Sequence, residues 1–298
     1  MDEWGRFLSR LTPELLESML RSVGYIPSRE VVTALWLALR LGKPLLVEGE
    51  PGTGKTELAK SLAAALGTTL VRLQCYEGIT WQQALYDWDY PRQLLAIRML
   101  EGSRRPEEVA EEIYTEKYLV KGPLLRALLH DGPKPAVLLI DEIDRADEEF
   151  EAFLLEFLAE FQVTIPEIGT LRAKRRPIVI ITSNRTRELG DGLRRRSLYL
   201  YVTYPPRERE VEIVLTRVRG VKRKLAEQVV DAVNRVRRLE WVAKKPGVSE
   251  AVDWAASLRE LGVDELDRDS FEATKFAVLK TAEDYERVGP EDVLGGGR

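Results

Sequence analysis

The 298-residue sequence holds one cysteine, one histidine, three methionines and two asparagines. A lone thiol, Cys75, excludes an internal disulfide framework and fits a reducing compartment. A lone imidazole, His130, excludes a Cys/His cluster for structural zinc, so both residues are read as packing groups. No apolar run approaches the ~20 residues of a membrane-spanning helix, and the start, MDEWGRFLSRL, lacks a long apolar core, so no membrane insertion and a cytoplasmic location are expected. A large excess of either charge is also missing. Lys and Arg number 45 against 49 Asp and Glu, for a formal net charge of -4, and bulk attraction to nucleic acid is not indicated. The local basic clusters RAKRR (172–176), Arg194 to Arg196 and RGVKRK (219–224) read as solvated faces or phosphate contacts. Scarce asparagine beside abundant Arg and Glu is a bias of heat-adapted proteins.

What is present is a set of short apolar runs: PLLVEG (44–49), TTLVRL (68–73), PAVLLID (135–141), PIVIITSN (177–184) and LYLYVTY (198–204). Uniformly apolar runs of this length suit strands of a parallel sheet covered on both faces. Helical spacing intervenes at 55–66 and 147–161, which gives a doubly wound α/β domain. A short leading helix is expected within residues 1–22, with Thr12 as its N-cap and Pro13 at its first position. After Pro205 and Pro206 only helical spacing remains, carried by Val211, Val214, Leu215 and Val218, then Leu225, Val229, Val233 and Val236, then Ala251, Trp254, Ala255 and Leu258. The expected division is a leading segment 1–22, an α/β nucleotide-binding domain 23–205 and an all-helical domain 206–298, with a frayed VLGGGR tail.

Gly49, Glu50, Pro51, Gly52, Thr53, Gly54, Lys55 and Thr56 fit the phosphate-binding loop, with an apolar strand before them and a helical pattern after them, and together with Glu57 they are the expected nucleotide-binding residues. The glycines let consecutive N–H groups curl inward, and the helix starting near Lys55 adds the positive end of its dipole. Lys55 is expected on the β- and γ-phosphates of ATP and Thr56 on Mg²⁺. In VLLIDEID an apolar strand ends in carboxylates, so Asp141 is expected to complete the Mg²⁺ shell and Glu142 to deprotonate a water that attacks the γ-phosphate. Asn184 closes another apolar strand with an amide able to donate and accept, as positioning that water requires. Solvated strand-end acids and an ordinary turn asparagine are the bland alternatives.

Loop, acidic pair, polar strand end, arginine cluster and helical lid stand in the order of the AAA+ ATPases. The segments EGEPGTGKTELAK, LLIDEIDRADEEFEAFLLEFL, TSNRTRELGDGLRRRSLYLYVTYPPRERE and PGVSEAVDWAASL resemble the MoxR family, most of all its CoxD-like branch. The resemblance implies an AAA+ core with a parallel five-stranded sheet, a C-terminal helical lid, and ATP hydrolysis at the subunit interfaces of a hexameric ring. It also implies chaperone-like work, with a von Willebrand factor A (VWA) domain partner and metalloenzyme maturation. Asn184 matches the sensor-1 position, and Arg194 to Arg196 match the segment carrying the arginine finger, with Arg194 and Arg196 favoured. A solvated or self-pairing cluster is the alternative. The sensor-2 arginine of such lids has no counterpart at Val248-Ser249-Glu250-Ala251, and Arg259 lies more than two turns further on, so the lid is expected to contribute packing rather than charge.

Tyr76, Trp81, Tyr86, Trp88 and Tyr90 crowd into a long crossover, where the resemblance places an insertion; a partner surface and burial against the core are equal readings. VTIPEIGTLRAKRRP suits a hairpin. Two rival classes are a nucleic-acid motor or loader, against which the pI near 5.5 argues, and a nucleotide-gated interaction protein, against which Glu142 argues.

Overall fold

The computed structural model describes residues 3–100 and 105–294; the end of the glycine-rich tail lies outside them. Two compact units form. One comprises Met1–Met19, Arg29–Glu48 and Ala59–Leu200, the other Leu20–Ser28, Gly49–Leu58 and Tyr201–Arg298. The second unit therefore takes the phosphate loop together with the helical C-terminal region, whereas sequence reasoning places that loop in the α/β domain.

In the leading segment two helices form instead of one, α1 (Glu3–Arg10) and α2 (Pro13–Ser22). Pro13 lacks the N–H that would continue α1, and Thr12 Oγ1 accepts the Leu15 N–H at 3.2 Å to start α2 afresh. Next come α3 (Arg29–Leu41), β1 (Leu45–Gly49), α4 (Lys55–Leu66) and β2 (Leu70–Gln74). The crossover holds α5 (Trp81–Leu85), β3 (Tyr86–Trp88), α6 (Tyr90–Leu100), α7 (Pro106–Ile113), β4 (Leu119–Lys121) and α8 (Pro123–Leu128). Beyond it lie β5 (Val137–Asp141), α9 (Glu148–Glu160), the expected hairpin β6 (Gln162–Ile165) and β7 (Gly169–Arg172), β8 (Ile178–Ser183), α10 (Asp191–Arg196) and β9 (Leu198–Val202).

The parallel five-stranded sheet has the order β2-β5-β8-β1-β9. Every residue of β1 and β5 is buried, as strands covered on both faces must be. The register pairs Gln74 with Asp141 at the carboxyl ends of β2 and β5, and Glu48 with Ser183 at those of β1 and β8. One edge of the sheet thus gathers the polar strand ends. The core of this unit packs Leu46, Val71, Leu138, Ile140, Phe150 and Ile181.

The second unit contains α11 (Arg207–Arg217), α12 (Arg223–Arg238), α13 (Val248–Glu260) and α14 (Arg268–Thr274), and no described residue from Thr203 onward is in a strand. Val214, Val229, Val233, Trp254 and Phe271 form its core. Trp254 meets Phe271 edge-on at 6.1 Å and donates its indole N–H to Thr274 Oγ1 at 2.8 Å, so the ring is buried without an orphaned donor.

Candidate active site

Within the second unit the loop preceding α4 curls tightly. A Cβ on Gly49 would meet Val202 O at 2.1 Å, and one on Gly52, which has φ +78°, would meet the Gly247 Cα at 2.6 Å. Only glycine is compatible with both positions. The Lys55 ammonium is buried and donates to the carbonyls of Gly49 and Glu50, each at 2.8 Å, so the loop folds around its own cation. The Thr53 hydroxyl donates to Glu50 O at 2.8 Å. Thr56 occupies the first turn of α4, and Glu57 pairs with Arg217 at 2.8 Å.

Residues 201–298 of the same unit support this loop through backbone and a tyrosine. Val248 N–H donates to Gly52 O at 2.9 Å, and the Tyr204 hydroxyl donates to Pro51 O at 3.2 Å. Arg237 lies 4.2 Å above the Tyr204 ring, itself held by Glu210 through two bonds of 2.7 Å. Arg259 donates instead to Arg219 O at 2.5 Å.

Within the first unit, Asp141 ends β5 with its side chain 1% exposed. Its Oδ1 accepts the Thr182 hydroxyl at 2.6 Å, and its Oδ2 accepts Arg72 Nε at 2.9 Å, with the Arg72 terminal nitrogen at 2.6 Å. Glu142 follows in a left-handed conformation, φ 56° and ψ 51°, which costs a non-glycine residue on the order of 1 kcal/mol or more. The Glu142 N–H donating to Thr182 Oγ1 at 2.9 Å helps hold that turn. The Glu142 carboxylate accepts from Gln74 Nε2 at 3.0 Å and from Asn184 Nδ2 at 3.3 Å, and pairs with Arg145 at 2.9 Å. Glu142 and Asn184, 42 positions apart, are thereby brought together.

Arg72, Gln74 and Asp144 are absent from that reading. Arg72 and Gln74 share one face of β2, two residues apart, and reach the acidic pair because β2 is the neighbour of β5. Asp144, 3% exposed, accepts the N–H groups of Asn184 and Thr186 at 3.1 and 2.9 Å and the Thr186 hydroxyl at 2.6 Å. Burial alone would raise its pKa, yet these bonds hold the carboxyl below the usual value. Cys75, behind the same strand end, is pushed up to about 12 by burial and by the nearby Asp141, Asp144 and Glu142 carboxylates, so the thiol is inert.

The three arginines on α10 have different surroundings. Arg194 stands 3.6 Å from Glu48 Oε1, a buried oxygen that accepts no hydrogen bond among the described residues, while the Tyr199 hydroxyl donates to Oε2 at 2.8 Å. Arg196 donates to Leu155 O at 2.5 Å. Arg195 has an 83% exposed side chain and, among the described residues, pairs with Asp191 at 3.9 Å. Arg194 and Arg196, favoured on sequence grounds, both have contacts within their own chain. Glu151, 4% exposed, holds the entry to α10 by accepting the Gly190 N–H at 2.9 Å and pairing with Arg187.

The aromatic cluster divides: Trp88 is buried and meets Tyr114 edge-on at 5.2 Å, whereas Trp81, Tyr76 and Tyr90 are exposed. The Asp141 carboxylate at the end of β5 is a hard oxygen donor of the kind Mg²⁺ takes alongside waters and phosphate oxygens, and the Thr56 hydroxyl in the first turn of α4 is another.

Comparison with known proteins bears on the family of the chain. The AAA domain of the dynein-related subfamily matches residues 44–197. Protein NorQ of Paracoccus denitrificans is 26% identical over 252 residues, covering 82% of this chain and 83% of its own. The uncharacterized protein YehL of Escherichia coli is 28% identical over 179 residues, 58% of this chain and 43% of its own. The Thermotoga maritima RuvB Holliday junction branch migration motor aligns with 83% of this chain and 67% of its own at 19% identity, with a TM-score of 0.45. With more than half its length matched by that domain, and with phosphate loop, acidic strand end and polar strand end all present, the chain belongs to the AAA domain family, dynein-related subfamily, and is a MoxR-like AAA+ ATPase.

Proposed function

We propose that this ATPase works at the subunit interfaces of a ring, a hexamer, as a member of the CoxD-like branch that drives chaperone-like remodelling or metalloenzyme maturation with a VWA-domain partner. The observation that carries the catalytic part is the Glu142 carboxylate, turned out of β5 by a left-handed residue and held by the Asn184 and Gln74 amides. In this reading residues 49–54 wrap the phosphates of ATP with backbone N–H groups, and Lys55 exchanges its loop carbonyls for phosphate oxygens. Thr56 and Asp141 hold Mg²⁺, which when bound neutralises charge on the phosphates. Glu142 takes the proton of the attacking water, and Asn184 orients that water. An arginine from residues 194–196 of the neighbouring subunit neutralises charge developing on the γ-phosphate. The test separates binding from turnover. Lys55→Ala abolishes tight ATP binding, whereas Glu142→Gln binds ATP normally and loses phosphate release; wild-type turnover by Glu142→Gln overturns the assignment.

A further inference from the structure

Arg72 plays no part in the scheme above, yet its guanidinium takes the oxygen of Asp141 that the hydroxyl of Thr182 leaves open. Asp141 is 1% exposed, so its carboxylate has no spare face toward solvent, and Arg72 supplies two nitrogens at 2.9 and 2.6 Å to Oδ2. A guanidinium in that position and a divalent cation on the same carboxylate would place like charges within a few ångströms of each other, with the shared carboxylate buried and the guanidinium half-exposed. Only one can be held at full strength. The Arg72 side chain is 47% exposed and hangs from the outer face of β2, so it can swing into solvent while its competitor binds. Its second contact makes the swing consequential. Arg72 also donates to the Gln74 amide oxygen, and the Gln74 amide nitrogen donates to Glu142, so one guanidinium fixes the partners of both acidic residues.

We propose that Arg72 is a positioning residue that competes with Mg²⁺ for Asp141 and so sets the metal concentration at which the nucleotide site loads. The proposal rests on the assignment of Asp141 as the metal carboxylate. The experiment is a binding titration on the full chain with a fluorescent ATP analogue, first in EDTA and then in rising Mg²⁺. Arg72→Gln removes the competing charge and lowers the Mg²⁺ concentration for half-maximal tightening by about five- to tenfold, the scale of a half-exposed charge-assisted pair, and leaves the affinity in EDTA unchanged. Arg72→Lys, which keeps a cation without the fork, gives a smaller shift in the same direction. A general loss of structure would instead weaken binding in EDTA and in Mg²⁺ alike. Thermal unfolding supplies a second reading: Arg72→Gln melts lower than the wild type in EDTA, because a buried carboxylate has lost its partner, and gains more from Mg²⁺ with nucleotide. If the Mg²⁺ midpoint of both Arg72 variants equals or exceeds that of the wild type while Asp141→Asn abolishes the Mg²⁺ effect, the competition is refuted and Asp141 keeps its role. If Asp141→Asn leaves the Mg²⁺ titration untouched, the metal assignment itself falls, and the Arg72 proposal with it.

Discussion

Single residues carry the link between the two strand ends that the chemistry needs. Asp144 is the clearest case: one buried carboxylate accepts two backbone N–H groups and a hydroxyl from the segment that begins with Asn184. Its folded pKa lies below the ordinary carboxylate value, so the stability it contributes is fully present above about pH 3.9 and is lost as pH falls from there through the folded value. Asp144→Asn should therefore cost about 1 to 3 kcal/mol in urea unfolding at pH 7, and the gap to the wild type should narrow only below about pH 4. A gap that instead narrowed between pH 7 and pH 5 would mean that another group is responsible. The carboxylate stands in full view in VLLIDEID, two positions past Glu142. Its role is illegible there because it depends on backbone donors 40 residues downstream.

At the level of elements, legibility follows the range of the interaction. All five expected sheet strands and the helices at 55–66 and 147–161 form within about three residues of their expected bounds, because burial on both faces of a sheet and on one face of a helix writes a local pattern. Which strand neighbours which leaves no such mark, and Arg72 and Gln74 become part of the site only once β2 lies beside β5. The aromatic crossover is ambiguous for the same reason. Trp88 and Trp81 are the same residue type in one short stretch, but the pairing of β3 with β4 carries Trp88 inward, opposite Leu119, while Trp81 opens α5 and stays 39% exposed. Trp88→Ser is expected to destabilise the protein by about 3 to 5 kcal/mol, whereas Trp81→Ser with Tyr90→Ser should lie within about 1 kcal/mol of the wild type. Urea midpoints measured on the two variants distinguish them; equal losses would place all three rings in the core.

For the whole molecule, the proposed ring gives the arginines of α10 a testable role toward a neighbouring copy. In its own chain Arg194 stands 3.6 Å from the buried Glu48, and Arg196 is tied to Leu155 O, so removing either also disturbs local structure. Arg195, with one long contact to Asp191, can be removed at little structural cost, which makes it the cleanest probe. If an arginine of this cluster acts across an interface, Arg195→Ala, or failing that Arg194→Ala with Arg196→Ala, yields subunits that retain Lys55, Asp141 and Glu142 but deprive their neighbours. Such preparations should bind ATP and hydrolyse it roughly 10³- to 10⁵-fold more slowly, or about 4 to 7 kcal/mol in barrier, as for trans fingers in other NTPases. Glu142→Gln subunits have the opposite defect, with arginines intact and no base. Mixing the two nearly inactive proteins should restore turnover wherever an intact Glu142 faces an intact arginine, and labelled chains must show that subunits have exchanged. A fold defect in the arginine variant cannot produce that recovery, since a misfolded subunit has no working site to be completed. Exchange without recovered ATPase activity would assign the cluster to its own chain, as a support for Glu48 and the end of α10.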